Sequence, residues 1–175
     1  RSEIQSIYGI VDRGTTLGTA MNPSARNWGL VQQIATPTFT NGTLSSVAAS
    51  NNAVNPAPGH DNGWYMDFTA GERVNVDPQL GLGTLVIASN NPDGASQPNS
   101  CTQAGMSVTW QLAACNGHFL DAQYGDPVAG ITLYQLPDGR LMMNRVFGNA
   151  GAGGTTNQQQ NQVRTGASTA EGKRV

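Results

Sequence analysis

The chain has 175 residues, 11% of them charged, with nine Lys and Arg against eleven Asp and Glu for a formal net charge of -2. Soluble domains average about 25% charged residues. The nine basic residues, Lys173 the single lysine among them, are spread thinly along the chain, which excludes an electrostatic nucleic-acid binder and a polybasic membrane anchor, since both need clustered Lys and Arg. No apolar run approaches the roughly 18 residues of a membrane helix, and 38% hydrophobic residues beside 22 glycines is the balance of a folded, loop-rich domain.

In chain order, residues 13–28 carry no apolar periodicity and read as a loop. Residues 30–34 and 36–40 alternate as strand, then Asn41-Gly42 supplies the two positive-φ positions of a type I′ turn, so 43–48 is expected to return antiparallel. Residues 49–62, rich in Asn, Pro, Ala and Gly, read as a long surface loop. A hairpin over Gly81-Leu82-Gly83 joins 74–76 to 85–87. Another, over Asn116-Gly117, joins 106–112 to 118–120, and a third, over Pro137-Asp138-Gly139, joins 131–136 to 140–143. The segment 148–162 contains Gly153-Gly154 and the run from Asn157 to Gln162. Such polar low complexity offsets little ordering entropy and reads as a further loop, with Val163 and Val175 bounding a partly formed last strand pair.

Helical periodicity is absent, and hairpins without helices make an antiparallel meander: an all-β chain. The order strand, Gly turn, strand, loop, strand, Asn-Gly, strand runs from Arg73 to Asp121 and restarts near Val128. A period of about fifty residues is that of a four-stranded propeller blade. Neighbouring blades also explain how so few charges suffice, since they bury both faces of each sheet. A β-sandwich with turns every ten residues is the alternative. Residues 1–175 are then expected to be the C-terminal portion of a propeller within a longer chain, because three or four blades do not make a typical ring.

Few residues invite chemistry. Cys101 and Cys115 bracket one strand. In an extracytoplasmic protein such a pair reads as a structural disulfide, closing a short loop for about 3 kcal/mol, with two independent thiols as the alternative. His60-Asp61 and His118 with Asp121 are the histidine–carboxylate combinations, but neither accompanies a nucleophile motif and no G-x-S-x-G elbow occurs. The histidines lack paired metal-ligand spacing, no calcium loop of D-x-[DN]-x-[DN]-G type is present, and 148–154 lacks the Lys-Ser/Thr of a phosphate loop. Asn41-Gly42-Thr43 is a formal glycosylation sequon in a tight turn. Trp28, Trp64, Tyr65 and Trp110 could line a sugar-binding surface, with Trp28 and Trp64 the candidates for surface contact; blade core is the commoner fate of such residues. No catalytic residue, cofactor or metal ligand is assigned.

At Asp61-Asn62-Gly63-Trp64-Tyr65-Met66-Asp67-Phe68, Gly71-Glu72-Arg73-Val74 and Asp77-Pro78, the chain resembles the C-terminal propeller of the PilC/PilY family of type IV pilus biogenesis and tip-adhesin proteins. Gly83-Thr84-Leu85-Val86-Ile87-Ala88-Ser89-Asn90-Asn91-Pro92 resembles the strand that follows in that family. Cys101 with Gly105 and then Trp110 stand where the family has a Cys-bearing loop and a Trp strand. Gln5-Ser6-Ile7-Tyr8-Gly9-Ile10-Val11-Asp12 resembles an S-x-Y-G-I-W-D strand, and Lys173-Arg174-Val175 a truncated G-R-R-V ending. The resemblance implies a bacterial cell-surface protein, at the pilus tip or associated with the outer membrane. It implies a non-enzymatic platform for pilus assembly and attachment, with minor pilins, a host or abiotic surface, and the rest of its own propeller as partners. The family's calcium loop has no counterpart here, so calcium would belong elsewhere in the longer protein. Residues 148–162 stand as an insertion, and the Asp-rich segment after the Trp strand is reduced to Asp121 and Asp126. The rival expectations are a quinoprotein-like dehydrogenase propeller and a carbohydrate-binding or phage-fibre module.

Overall fold

The structure, a computed structural model, describes residues 3–14, 29–40, 43–92, 105–148 and 158–165. These residues form β-strands and loops with no helix. The strands are β1 Ser6–Ile10, β2 Leu30–Thr40, β3 Thr43–Ala49, β4 Gly63–Asp67, β5 Gln79–Gly81, β6 Thr84–Asn91, β7 Met106–Ala113, β8 Phe119–Gly125, β9 Val128–Gln135, β10 Leu141–Phe147 and β11 Gln158–Gln162. They make three sheets, ordered β1-β4-β2-β3, β5-β6-β7-β8 and β11-β10-β9.

The second sheet is the meander that the Gly and Asn-Gly turns dictate. Its β5–β6 turn places Leu82 at φ 46° and Gly83 at φ 75°, the paired positive values of a two-residue hairpin, with the strain of the left-handed region falling on Leu82. The third sheet repeats the opening of the same meander. The first does not: β4 inserts between β1 and β2, antiparallel to β1 but parallel to β2, with Val31 beside Trp64 and Gln33 beside Met66. A meander made only of hairpins, the expectation from turn chemistry, is therefore corrected for this sheet. The 50–62 connection carries the chain back across the sheet, as a parallel neighbour requires. β2 runs unbroken through Pro37 because it changes partner, leaving β4 after Ile34 and pairing with β3 from Ala35 onward. Pro37 thus sits where one side of the strand is an edge, the place where a missing N–H is tolerated.

Two further corrections concern boundaries. Residues 74–76 are not strand: Arg73 makes an isolated bridge to Asn90, the chain then leaves the sheet, and pairing resumes at Gln79 beyond Asp77-Pro78. The Gln-rich run expected inside the 148–162 loop forms β11, paired with β10 from Met142↔Gln162 to Val146↔Gln158. Its low-complexity side chains succeed as a strand because two of them meet a buried cation, described below.

The sheets stack face to face in chain order. Odd-numbered Leu85 and Ile87 on β6, with Val108, Trp110 and Leu112 on β7, pack against Leu44, Trp64, Met66 and Phe68 of the first sheet and its flank. Their neighbours Val86 and Ala88 pack instead against Val128, Ile131, Leu141, Met143 and Val163. Period-2 alternation buried on both faces makes β6 and β7 near-continuously buried. Along the stack β3 lies against β8, and β5 against β9.

Candidate functional site

The sequence-nominated residues are mostly structural. Trp64 is 1% exposed, a core residue rather than a surface contact; its indole Nε1 donates to the Ala114 carbonyl at 3.0 Å, tying β4 to the turn after β7. Trp28 lies outside the described residues. Cys115 is an exposed free cysteine, and its expected partner Cys101 lies outside the described residues. His60 is exposed in the 50–62 connection. Its neighbour Asp61 uses its carboxylate on the Asn55 N–H (2.7 Å), and Arg13 donates to the carbonyls of Pro56, Ala57 and Asp61. This connection is a built element. Gln33, fully buried, donates to Asn52 and Asn116 carbonyls and accepts from Ser50 Oγ and the Asn52 N–H, so its amide is saturated. His118 Nε2 lies 3.1 Å from the same Asn52 carbonyl, and Asp121 faces Arg164 at 3.6 Å. The structure thus does not bring His118 and Asp121 together as a pair.

Polar chemistry concentrates instead between the second and third sheets. On β7 the side chains facing the third sheet are Ser107, Thr109 and Gln111, each 1% exposed or less. Opposite them Arg145, on β10, is 2% exposed. Its guanidinium donates to Gln159 Oε1, and more loosely to Asn161 Oδ1 and Thr109 Oγ1 at 3.4 Å, while its Cζ sits 5.3 Å from the Phe147 ring centroid. None of these partners is a carboxylate. Burial pulls the Arg145 pKa below its ordinary value, because the low-dielectric seam penalises a cation compensated only by dipoles and a ring face. Gln159 and Asn161 turn towards this guanidinium from β11, Gln159 from an exposed position.

Nearer β5 and β9 the seam opens into a groove. Arg73, Asn75, Val76, Asp77 and Gln79 line one wall and Val128, Ala129, Gly130 and Ile131 the other. It comprises two cavities of about 340 and 280 Å³ that share Asn75 and Ala129. Asn90, 8% exposed, closes the groove floor: its Nδ2 donates to Asn75 Oδ1 (2.6 Å) and the Val128 carbonyl (2.8 Å), and its Oδ1 accepts the Val128 N–H (2.9 Å). One side-chain amide thereby plays the part of a strand neighbour. Replacing Asn90 by Ala leaves both buried main-chain groups of Val128 without partners, and a loss of about 1–3 kcal/mol in urea unfolding is expected; an unchanged midpoint would mean that Asn90 does not join the sheets.

Arg73 reaches over the groove mouth, donating to the Glu3 and Glu72 carbonyls, with its Nη2 3.4 Å from Glu3 Oε2. The Glu3 side chain is 87% exposed, so that ion pair holds the guanidinium weakly. Residue-by-residue reading missed this groove. Its visible trace is the i, i+2 recurrence of polar residues from Arg73 to Gln79; its second wall comes from a strand some fifty residues onward. Among the described residues no three His, Cys, Asp or Glu are grouped to hold a metal, and no helix is long and apolar enough to cross a membrane. No family model, curated protein or solved structure matches the chain.

Proposed function

We propose that these three sheets are consecutive blades of a β-propeller and that the chain serves as a non-enzymatic platform in a type IV pilus tip-associated adhesin or assembly factor. The observation that carries the blade reading is the contrast between faces. The second sheet is covered on both sides, whereas the outward face of the first exposes Tyr8, Ile10 and Ile34, with Tyr8 stacked on Tyr65 at 6.0 Å. Half of a sheet–sheet interface is thereby offered to a further blade. The pilus assignment rests on the residues that resemble the PilC/PilY family, which supply β1, β4 and the Gly71-Glu72-Arg73-Val74 turn into the second sheet. In this reading the molecule sits at the bacterial surface, rigid stacked blades resist pulling force, and minor pilins and the attachment surface contact its loops. Cys101 and Cys115 would be oxidised to a disulfide in that compartment. The test is affinity capture from piliated cells with the protein containing its remaining blades. Enrichment of minor pilins is expected, and recovery of none would overturn the assignment.

A further inference from the structure

We propose that the groove between residues 73–79 and β9 binds an extended segment of a partner polypeptide, which adds to the outer edge of β9 as a strand. The inference does not depend on the pilus reading.

β9 ends its sheet: it pairs with β10 on one side, and among the described residues no strand pairs with the other. An edge strand beside a concavity is the geometry of strand addition, in which main-chain hydrogen bonds give affinity and alternate side chains give selectivity. Asn90 already demonstrates the edge's competence. Its amide satisfies both the N–H and the C=O of Val128, as a peptide unit would, and the groove continues past it along Ala129, Gly130 and Ile131. The small side chains at 129 and 130 allow another backbone to approach closely, where bulkier residues would hold it off.

The facing wall sets the chemistry of the guest. Arg73 stands at one of the two cavities and Asp77 at the other, with Asn75 shared between them and Gln79 beside Asp77. Side chains on one face of an extended strand recur every second residue. A guest strand with a carboxylate and an ammonium four residues apart therefore meets Arg73 with one and Asp77 with the other. The residues between them take small or β-branched side chains, and the amides of Asn75 and Gln79 serve polar positions. Asp77 is exposed, and Arg73 exchanges a weak surface pair with Glu3 for the guest carboxylate.

The probe is a fluorescein-labelled peptide, Thr-Glu-Val-Thr-Val-Lys-Thr with blocked ends, titrated with the chain and read by fluorescence anisotropy. Saturable binding is expected. A peptide N-methylated at alternate residues, which lacks the N–H groups for pairing, is expected to bind at least about ten-fold more weakly, the equivalent of roughly one main-chain hydrogen bond. The double substitution Arg73→Gln with Asp77→Asn is expected to weaken the parent peptide several-fold and to leave the Gln-for-Glu, Gln-for-Lys peptide unaffected. Ala129→Trp fills the shared waist of the two cavities from an exposed position; it is expected to abolish binding while the thermal midpoint stays unchanged, so loss of fold and loss of site are told apart. Absence of saturable binding by the parent chain, undiminished binding by the Ala129→Trp variant, or equal affinity for the N-methylated peptide would each overturn the proposal. Because only the chain and a synthetic peptide are present, failure here leaves the pilus assignment standing, and failure to capture pilins leaves the groove standing.

Discussion

Trp64→Ala is expected to lower unfolding stability by about 3–5 kcal/mol, the usual cost of deleting a fully buried large aromatic from a core. Three features make this site unable to collapse around the gap. The indole lies in the cluster shared by the first two sheets, with Met66, Phe68, Val108 and Trp110. Its Nε1–H is matched to the Ala114 carbonyl, which loses that partner. Its ring is clamped between two glycines: any Cβ at Gly9 would collide with the indole, and one at Gly117 would come within 2.5 Å of it. Gly117 also sits at φ +69°, where L-residues are strained. Urea unfolding of the variant measures the loss, and Gly9→Val should reproduce much of it from the other side of the contact by overpacking. A Trp64→Ala midpoint within experimental error of the parent would show that the first sheet is not fastened to the second through this residue.

Glu72→Gln is expected to stabilise the protein near neutral pH and to leave it nearly unchanged in acid. Glu72 is 4% exposed, and its Oε2 has no hydrogen-bond partner. Burial, the dominant influence, raises its pKa above the usual 4.5, and hydrogen bonds from Ser89 and Thr69 offset this only in part. The surrounding network favours the neutral acid. Ser89 Oγ accepts the Trp110 indole N–H at 3.0 Å and donates its own proton towards the Val108 carbonyl. A protonated Glu72 can donate to Ser89 without disturbing either bond, whereas the carboxylate competes with Val108 for the single hydroxyl proton. Arg73, the nearest cation in sequence, directs its guanidinium to Glu3 and to the Glu72 main-chain carbonyl, leaving the carboxyl without an ionic partner.

Since the folded-state pKa lies above the unfolded one, the native state binds more protons than the unfolded chain in the interval between the two values. Stability is then fully present below about pH 4.5 and declines as pH rises through the folded pKa. Burial disfavours the charged carboxylate, and the hydrogen bonds from Ser89 and Thr69 return only part of that cost. Thermal midpoints of parent and variant, measured from pH 4 to pH 8, should separate progressively as pH rises. Parallel curves over that interval would mean that Glu72 is ionised at no cost.

Much of this architecture is legible in the chain, and what is legible has a common physical origin. The turns Leu82-Gly83, Asn116-Gly117 and Pro137-Asp138-Gly139 impose backbone conformations through glycine and proline chemistry within three residues. All three fall between antiparallel partners in the structure. Alternation over 84–91 and 106–113 likewise marks strands wherever they come to lie. The insertion of β4 beside β2 was not legible, because a parallel pairing is made by a connection whose own residues only look like loop. β11 was misread for a related reason. Gln159 and Asn161 are poor strand formers in isolation, and their place is decided by Arg145, a buried guanidinium fourteen and sixteen residues away in sequence.

The site divides in the same way. That Trp64 has one face for packing and one donor to satisfy follows from its type, but whether it looks outward or inward depends on the turn after β7 lying over it. That polar residues recur at 73, 75, 77 and 79 is visible in the chain. That they face a small-residue strand edge, with Asn90 bridging the floor, is a product of packing the second sheet on the third. Local stereochemistry acts over a few residues and can be read from neighbours in the chain. Burial, ionic compensation and the walls of a groove are sums over side chains brought together from distant segments, and only the folded arrangement sets them.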